Sequence, residues 1–430
     1  MKKRIAFQTF GCKLNFAETS TIAKTFPEEE YQLVDFDDVA DVYVINSCSV
    51  TANAEKTCRA AARAAKRRNE GAKVAMLGCY SQIKADSIAQ LPEVDWVLGN
   101  EDKFRLYDFL SKEKAEGGGL VANTNINKSK VFNPAYSSAD RTRSFLKVQD
   151  GCDYFCTYCS IPFARGRSRS ATIAQTIETA KEIGRSEARE IILSGVNIGD
   201  FGKLHNESFA DFLRALEEVE GIDRIRISSV EPELLTHEII DLVAGSEKIQ
   251  PHFHIPLQSG SDEVLKIMKR NYSLSVYTDR VEYIKSLMPH ACIAADVITG
   301  FPTETDEQFE DSYEYLAELP ISYMHVFSYS PREGTYALRL ENMVSPQEKK
   351  RRSKALHLLS DKKKRDFYSQ NIGSEQEVLF EAQNQGGMMS GWTGNYIKVL
   401  TPYRPELVNT IQKVRLEELN EEGDFVWENK

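Results

Sequence analysis

The sequence predicts a mixed α/β chain in three parts: an N-terminal parallel-sheet α/β domain (residues 1–135), a central partial (β/α)6 barrel (136–367) and a small C-terminal β-barrel (368–430). Three observations carry this. Short apolar runs alternate with helix-period stretches from residue 5 onward, the signature of a parallel sheet. Six more strand-like runs follow between residues 145 and 329, too few for the eight units of a closed barrel. Beyond residue 370 the pattern turns to short strands broken by Gly, Asn and Pro, as in small β-barrels of the oligonucleotide-binding kind. At 430 residues the chain has room for two or three cores.

In the first part, Ile5–Phe10, Val42–Asn46 and Val74–Gly78 read as buried strands, and Cys12, Cys48 and Cys79 each follow one of them. Loops after the strands of an open α/β sheet gather at its C-terminal edge, where such folds bind ligands. Three cysteines far apart in sequence are therefore expected to meet there, offering three thiolates and no obvious fourth. Cys58, in a basic helix, lacks this placement and reads as an ordinary helix residue. Cys292 leads into an apolar run and reads as a core thiol. Gly117–Gly119 marks a hinge and Asn123–Lys130 a linker.

The densest chemistry lies in Gly151–Cys159, which sets Cys152, Cys156 and Cys159 at CxxxCxxC spacing just past the first barrel strand. A 4Fe–4S cluster normally takes four thiolates, so this loop leaves one iron for another ligand, most economically a substrate. Zinc sites usually show paired CxxC units and four ligands, and three cysteines cannot pair off as disulfides. The loop resembles that of the radical S-adenosylmethionine (SAM) enzymes. The resemblance implies that the amino and carboxylate groups of SAM chelate the open iron, and that the reduced cluster cleaves SAM to a 5′-deoxyadenosyl radical. Cys12, Cys48 and Cys79 then read as holders of a second 4Fe–4S cluster with an open iron.

Barrel chemistry sits on the loops after the strands. That makes Ser194, Gly195, Glu231, Gln258 and Gly300, with Tyr158 of the cysteine loop, candidate SAM contacts. Gly admits close approach, and Ser, Gln and Glu hydrogen-bond amino, carboxylate and ribose groups; taken singly, each is also ordinary turn chemistry. Arg165, Arg167 and Arg169 lie just beyond the cysteine loop, placed to clamp a SAM carboxylate or a substrate phosphate.

Lys and Arg number 54 against 64 acids, a net charge of −10, so the molecule as a whole does not advertise a polyanion partner. The bases are clustered, however, in Lys56, Arg59, Arg63, Lys66, Arg67 and Arg68, in Arg165–Arg169, and in Lys349–Arg352 with Lys362–Arg365. Local patches contact phosphates even on an acidic protein, because the field that matters is set within a Debye length of ~8–10 Å. After residue 370 ten acids face five bases. Nucleic-acid contact there would rest on stacking and polar contact from Trp392, Asn395, Tyr396 and Lys398, and a plain packing domain is the alternative. No stretch approaches the ~18 apolar residues of a membrane span, and the Met-Lys-Lys-Arg start runs into a strand rather than an apolar leader. A cytoplasmic protein with no membrane partner is expected, where eight cysteines favour metal chemistry over disulfides.

Three spaced cysteines ahead of a radical SAM loop, a partial barrel and a small β-domain together resemble the methylthiotransferases, radical SAM enzymes with two iron–sulfur clusters. Thr9–Glu18, Val148–Pro162 and Ala164–Ser170 most resemble the MtaB branch, and Gly391–Val399 resembles the TRAM domain such enzymes use on RNA. The resemblance covers essentially the full length. It implies conversion of N6-threonylcarbamoyladenosine beside the tRNA anticodon to its 2-methylthio derivative. Hydrogen would be abstracted from adenine C2 and a methylthio group delivered from the second cluster. The implied partners are the anticodon stem-loop and a reductant or electron-donor protein, with no DNA. Arg165 and Arg167 become candidates for the threonylcarbamoyl carboxylate, because an arginine fork suits it, and Asn395 and Lys398 for RNA. Phe16 stands where a polar residue is expected. Siblings acting on isopentenyladenosine and on a ribosomal-protein aspartate tend to read Gly-Cys-Gln-Met-Asn and Gly-Cys-Pro-Lys-Asn at the first cysteine; Lys13-Leu14 matches neither. Those two substrates are the first alternatives, and a non-catalytic iron–sulfur RNA-binding protein is the alternative of another class.

Overall fold

The computed structural model describes residues 2–49, 51–110, 120–137 and 142–428, so the Gly117–Gly119 hinge lies outside the described residues. The N-terminal sheet has six strands, all parallel, in the order Tyr31–Val34, Lys3–Thr9, Val42–Ser47, Lys73–Gly78, Trp96–Leu98, Leu120–Ala122. Val42–Ser47 is buried throughout, which is why it reads as a continuous apolar run rather than an alternating one. Strand addition reverses direction between Lys3–Thr9 and Val42–Ser47. In an open α/β sheet that switch point makes a crevice beyond the strand ends, and Cys12 and Cys48 sit at its two lips. The stretch 123–130, expected to be a linker, is pinned instead: Ile126 is buried and Gln82 donates to the Thr124 carbonyl at 3.0 Å.

The central part has the six expected parallel strands, Arg143–Lys147, Glu190–Ser194, Arg224–Arg226, His252–His254, Cys292–Thr299 and Tyr323–Ser328. They fall in two sheets, one of the first three strands with Ala135–Tyr136 added antiparallel at its edge and one of the last three, which meet through the bridges Ile225 to Ile249 and Ser229 to His254. The helices follow their sequence. Over Phe209–Glu217, the Ser208 side chain caps the start by accepting from the Asp211 N–H. Phe209, Phe212, Leu213 and Leu216 then share one buried face against the sheet.

The open side of this partial barrel is closed by the N-terminal domain. On the first-strand side Glu18 meets Lys147 at 2.7 Å and Thr21 donates to the Tyr136 carbonyl at 3.3 Å. Beyond the last strand, Glu55 meets Arg332 at 3.0 Å and Lys84 pairs with Glu333. Phe16 belongs to this seam: its ring lies edge-on to Phe145 with centroids 5.8 Å apart, which gives an apolar residue a reason to be there.

A 24-residue helix, Pro346–Ser369, is capped by Ser345 and packs along the last barrel strand through Ser360 and Met324, at 2.9 Å. It carries Phe367 and Tyr368 into the core of the C-terminal sheet. That sheet runs Ile411–Arg415, Glu375–Phe380, Met388–Thr393, Lys398–Pro402, Phe425–Val426, Glu418–Leu419. Its two outermost strands are consecutive in the chain with two residues between them, so the sheet must curl until its edges approach, as in a TRAM-like domain. Among the described residues no helix is long and apolar enough to cross a membrane.

Candidate active site: two three-cysteine centres

Each cysteine of the N-terminal triad follows a strand of the parallel sheet: Cys48 and Cys79 immediately, Cys12 after Phe10-Gly11. Gly11 adopts φ +99°, and a Cβ there would lie 2.8 Å from the Cys48 sulfur. Only glycine lets the Cys12 turn approach Cys48 this closely. Asn100, beyond the next strand, points its amide at the Cys79 sulfur, 3.5 Å away. Cys48 and Cys79 are buried while Cys12 is exposed. Packing around the Cys12 thiol raises its pKa, opposed by the Arg165 guanidinium.

Behind this triad lies a buried charge cluster. Glu18 binds Lys103 at 2.5 Å, Lys147 at 2.7 Å and Arg165 at 3.0 Å. Asp150 binds Lys147 at 2.8 Å, Arg165 at 2.9 Å and Arg169 at 3.1 Å. Burial would raise the Glu18 carboxyl, but Arg165, Lys103 and Lys147 outweigh it and hold it well below its ordinary range. Four cations against two carboxylates leave a positive excess, and Arg165 presents it to Cys79 and Cys12. This corrects one expectation. Arg165 is 1% exposed, with its fork taken by Glu18, Asp150 and Asn15, so that fork is not open to SAM or to a substrate carboxylate. Arg167 is exposed and lies over the Phe155 ring, 4.9 Å from its centroid.

In the SAM loop, Arg270 donates to the Cys156 sulfur at 3.0 Å, while its other terminal nitrogen pairs with Glu231. The Tyr158 hydroxyl lies 3.5 Å from Arg270. Burial pushes the Cys152 and Cys159 thiols up to about 12, and it lifts Glu231 to about 7 against the pull of Arg270. Free thiols of that kind stay protonated at neutral pH, so metal binding is what ionises them. N–H donors on sulfur and exclusion of water both suit an iron–sulfur cluster; three thiolates per centre leave the fourth position to another ligand.

The other strand ends are less uniform. Ser194 is buried, and beside it Gln149 takes the Val196 and Asn197 N–H groups at 2.9 Å, which shapes the turn at Gly195. Gln258 holds φ +72°. The Gly300 N–H donates to Glu304 at 2.8 Å. A cavity of ≈ 610 Å³ lies between the domains, lined by Thr51 on one side and by Tyr158, Cys159, Gln258, Asp296 and Arg332 on the other.

The C-terminal candidates do not face outward as expected. Asn395 is 1% exposed and its amide donates to the His290 carbonyl and to Asn371. Lys398 pairs with Asp424 at 2.9 Å. Trp392 stacks on Tyr396 at 4.5 Å, and Tyr396 lies against His252 and Arg226. These rings plug the start of the barrel strands and are not a free stacking platform. Nothing in the sequence singles out Arg270 or Asn100 for the cysteine centres; Glu18 has a signal only as the end of the first cysteine motif.

A radical SAM superfamily model matches residues 146–316, and a model of an uncharacterized protein family, UPF0004, matches residues 4–99. The threonylcarbamoyladenosine tRNA methylthiotransferase MtaB of Bacillus subtilis is 38% identical over 98% of this chain and 96% of its own length. Its counterpart from Aquifex aeolicus is 38% identical over 89% of this chain and 94% of its own. The solved radical SAM methyltransferase TsrM from Kitasatospora setae, with cobalamin and a [4Fe-4S] cluster bound, aligns with a TM-score of 0.54 at 12% identity, covering 91% of this chain and 81% of that one; it shows the shared fold. Near full-length identity on this scale, over a fold that seats one cysteine triad on each of two domains, means that the chain belongs to the radical SAM methylthiotransferases, of the MtaB type.

Proposed function

We propose that this chain converts N6-threonylcarbamoyladenosine beside the anticodon of tRNA to its 2-methylthio derivative. The observation that carries the reading is one cavity between the two domains, with Tyr158 and Cys159 of the cysteine loop on one wall and Thr51, three residues past Cys48, on the other. When loaded, the Cys152/Cys156/Cys159 cluster supplies the electron that cleaves SAM to a carbon radical, and the Cys12/Cys48/Cys79 cluster supplies the sulfur. The chain's own residues bind and orient. Arg270 ties the Cys156 sulfur to Glu231, and Tyr158, Ser194, Gly195, Gln258 and Gly300 are the proposed SAM contacts. Adenine C2 carries no acidic hydrogen, so a side-chain base is not what the site must provide. It must instead hold a base splayed out of its loop, in a gap without water.

RNA contact is assigned to features flanking that gap. The exposed Phe155–Arg167 pair beside the SAM loop offers a face for a neighbouring base. Lys56, Arg63 and Arg67 lie seven and four residues apart on the exposed side of the helix Ala52–Arg68, a stripe suited to phosphates. An anticodon stem-loop and a one-electron reductant are the partners this requires, in the cytoplasm.

The test is anaerobic reconstitution with iron and sulfide, then SAM, reductant and stem-loop RNA, with nucleosides read by mass spectrometry. A methylthio product on threonylcarbamoyladenosine is the expected result. Cleaved SAM with no such product would move the substrate to another RNA or a protein, and no 5′-deoxyadenosine at all would favour a non-catalytic iron–sulfur protein.

A further inference from the structure

Lys13 follows Cys12 directly, yet its side chain does not serve the cysteine triad. The charges that act on it most strongly are Arg143, Arg226 and Glu190, and it in turn acts on His252 and His325. Its ammonium lies 6.0 Å from the Phe145 ring. These residues stand on barrel strands one, two, three, four and six. A point within reach of five strands of a six-strand barrel lies inside its lumen. Arg143, Glu190 and His252 begin their strands, while Phe145, Arg226 and His325 stand two residues into theirs.

The other lumen charges are already matched. Arg226 is bound by Glu190 at 3.0 Å, Arg143 by Glu381 at 2.6 Å, and Asp296 by His254 at 2.9 Å. Lys13 makes no hydrogen bond or ion pair among the described residues, and it is exposed to the lumen. Tyr396, on Arg226 and against His252, closes the chamber from below. His254, Asp296 and His325 come close enough to share a cation, but an unpaired ammonium beside them makes the chamber a place for an anion. Arg165, the arginine expected to take a carboxylate, is saturated elsewhere.

We propose that Lys13 is the specificity-determining residue that receives the carboxylate of the N6-threonylcarbamoyl group. This rests on the proposed methylthiolation of threonylcarbamoyladenosine. A charge-assisted contact with an otherwise unpaired ammonium favours the acid. The same unpaired cation penalises an apolar N6 substituent such as a dimethylallyl group, which would desolvate it without compensation.

The experiment compares stem-loops carrying threonylcarbamoyladenosine with the same RNA in which that carboxylate is a methyl ester. Reconstituted full-length chain is used as the parent, Lys13→Gln and Lys13→Arg. Binding is read by fluorescence anisotropy and turnover as kcat/KM, and the ratio of acid to ester is taken within each variant, so a general loss of activity cancels. The parent should prefer the acid by roughly tenfold to a hundredfold, Lys13→Gln should bring the ratio to about one, and Lys13→Arg should keep most of it. An acid-to-ester ratio unchanged by Lys13→Gln overturns this inference alone. No methylthio product from the parent on the acid substrate overturns the proposed reaction and this inference with it.

Discussion

Arg165, at the end of the short helix that follows the SAM loop, lies 3.0 Å from Glu18 of the first N-terminal helix, and both side chains are 1% exposed. The pair joins the two cysteine centres through one buried contact. Lys103 and Lys147 converge on the same carboxylate, so Glu18 holds three cations at once.

Glu18→Gln therefore strands buried positive charge. Breaking a buried pair in this way typically costs about 3–5 kcal/mol, and thermal unfolding of the iron-free chain should show a loss of that size near neutral pH. The pH dependence has a definite sign. The folded carboxyl is held below its ordinary value of 4.5, so its contribution is fully present above the unfolded pKa and is lost as pH falls below it. The gap between parent and variant should be flat above about pH 5.5 and narrow from about pH 4.5 downward. A gap of under ~1 kcal/mol at pH 7 would show that the cluster is not a structural joint.

Arg270 gives a second, electronic prediction. Its N–H to the Cys156 sulfur stabilises the more negative, reduced state of any cluster held there. Arg270→Met, paired with Glu231→Gln so that no carboxylate is left alone, should lower the reduction potential by on the order of tens of millivolts and slow SAM cleavage. Potentiometric EPR decides it: a potential unchanged by the double variant removes Arg270 from this role.

How much of this is legible in the sequence follows from the range of each interaction. The six barrel strands are readable because each is an apolar run between helix patterns, and the cysteine triads because their spacing or their place after a strand is local information. Trp96–Leu98 and Leu120–Ala122 span three residues each, too short for any periodicity. Met388–Thr393 is hidden by Gly391, which looks like a turn signal. It is instead a point of close strand approach, where a Cβ would meet Val378 at 2.5 Å. Arg165 sits beside the SAM loop in sequence, which suggests a ligand, but its direction is set by packing against Glu18, 147 residues away. Arg270 reaches Cys156 across 114 residues from a turn at Lys269, φ +57°, and nothing local announces it. Trp392 and Tyr396 look like base-stacking residues because the same rings serve RNA and a domain joint equally well.

The basic stripe on the helix Ala52–Arg68 makes a salt-dependence prediction. Arg59, Lys66 and Arg68 of that run are engaged by Tyr80, Asp95 and Asp37, leaving Lys56, Arg63 and Arg67 outward. Changing those three to Gln should weaken stem-loop binding and reduce the slope of log K against log salt by roughly 0.7–0.9 for each phosphate no longer neutralised. The same change at Lys350, Lys354 and Arg365, exposed on the long helix, is the control. A slope that the first set leaves at the parent's value would mean that this stripe does not track the RNA backbone.

The two triads are separable by the product each governs. Cys156→Ala removes a thiolate from the loop expected to bind SAM, so 5′-deoxyadenosine should fall to background and no modified nucleoside should form. Cys48→Ala touches only the crevice of the N-terminal sheet. SAM cleavage should persist within about threefold of the parent, since the joint through Glu18 and Arg165 is intact, while methylthio product should disappear. Iron per chain should fall by about half in each variant, as each keeps one complete triad. Thiolated product from Cys48→Ala would mean that the crevice cysteines do not deliver sulfur, and an absence of SAM cleavage in that variant would mean that the centres are not independent.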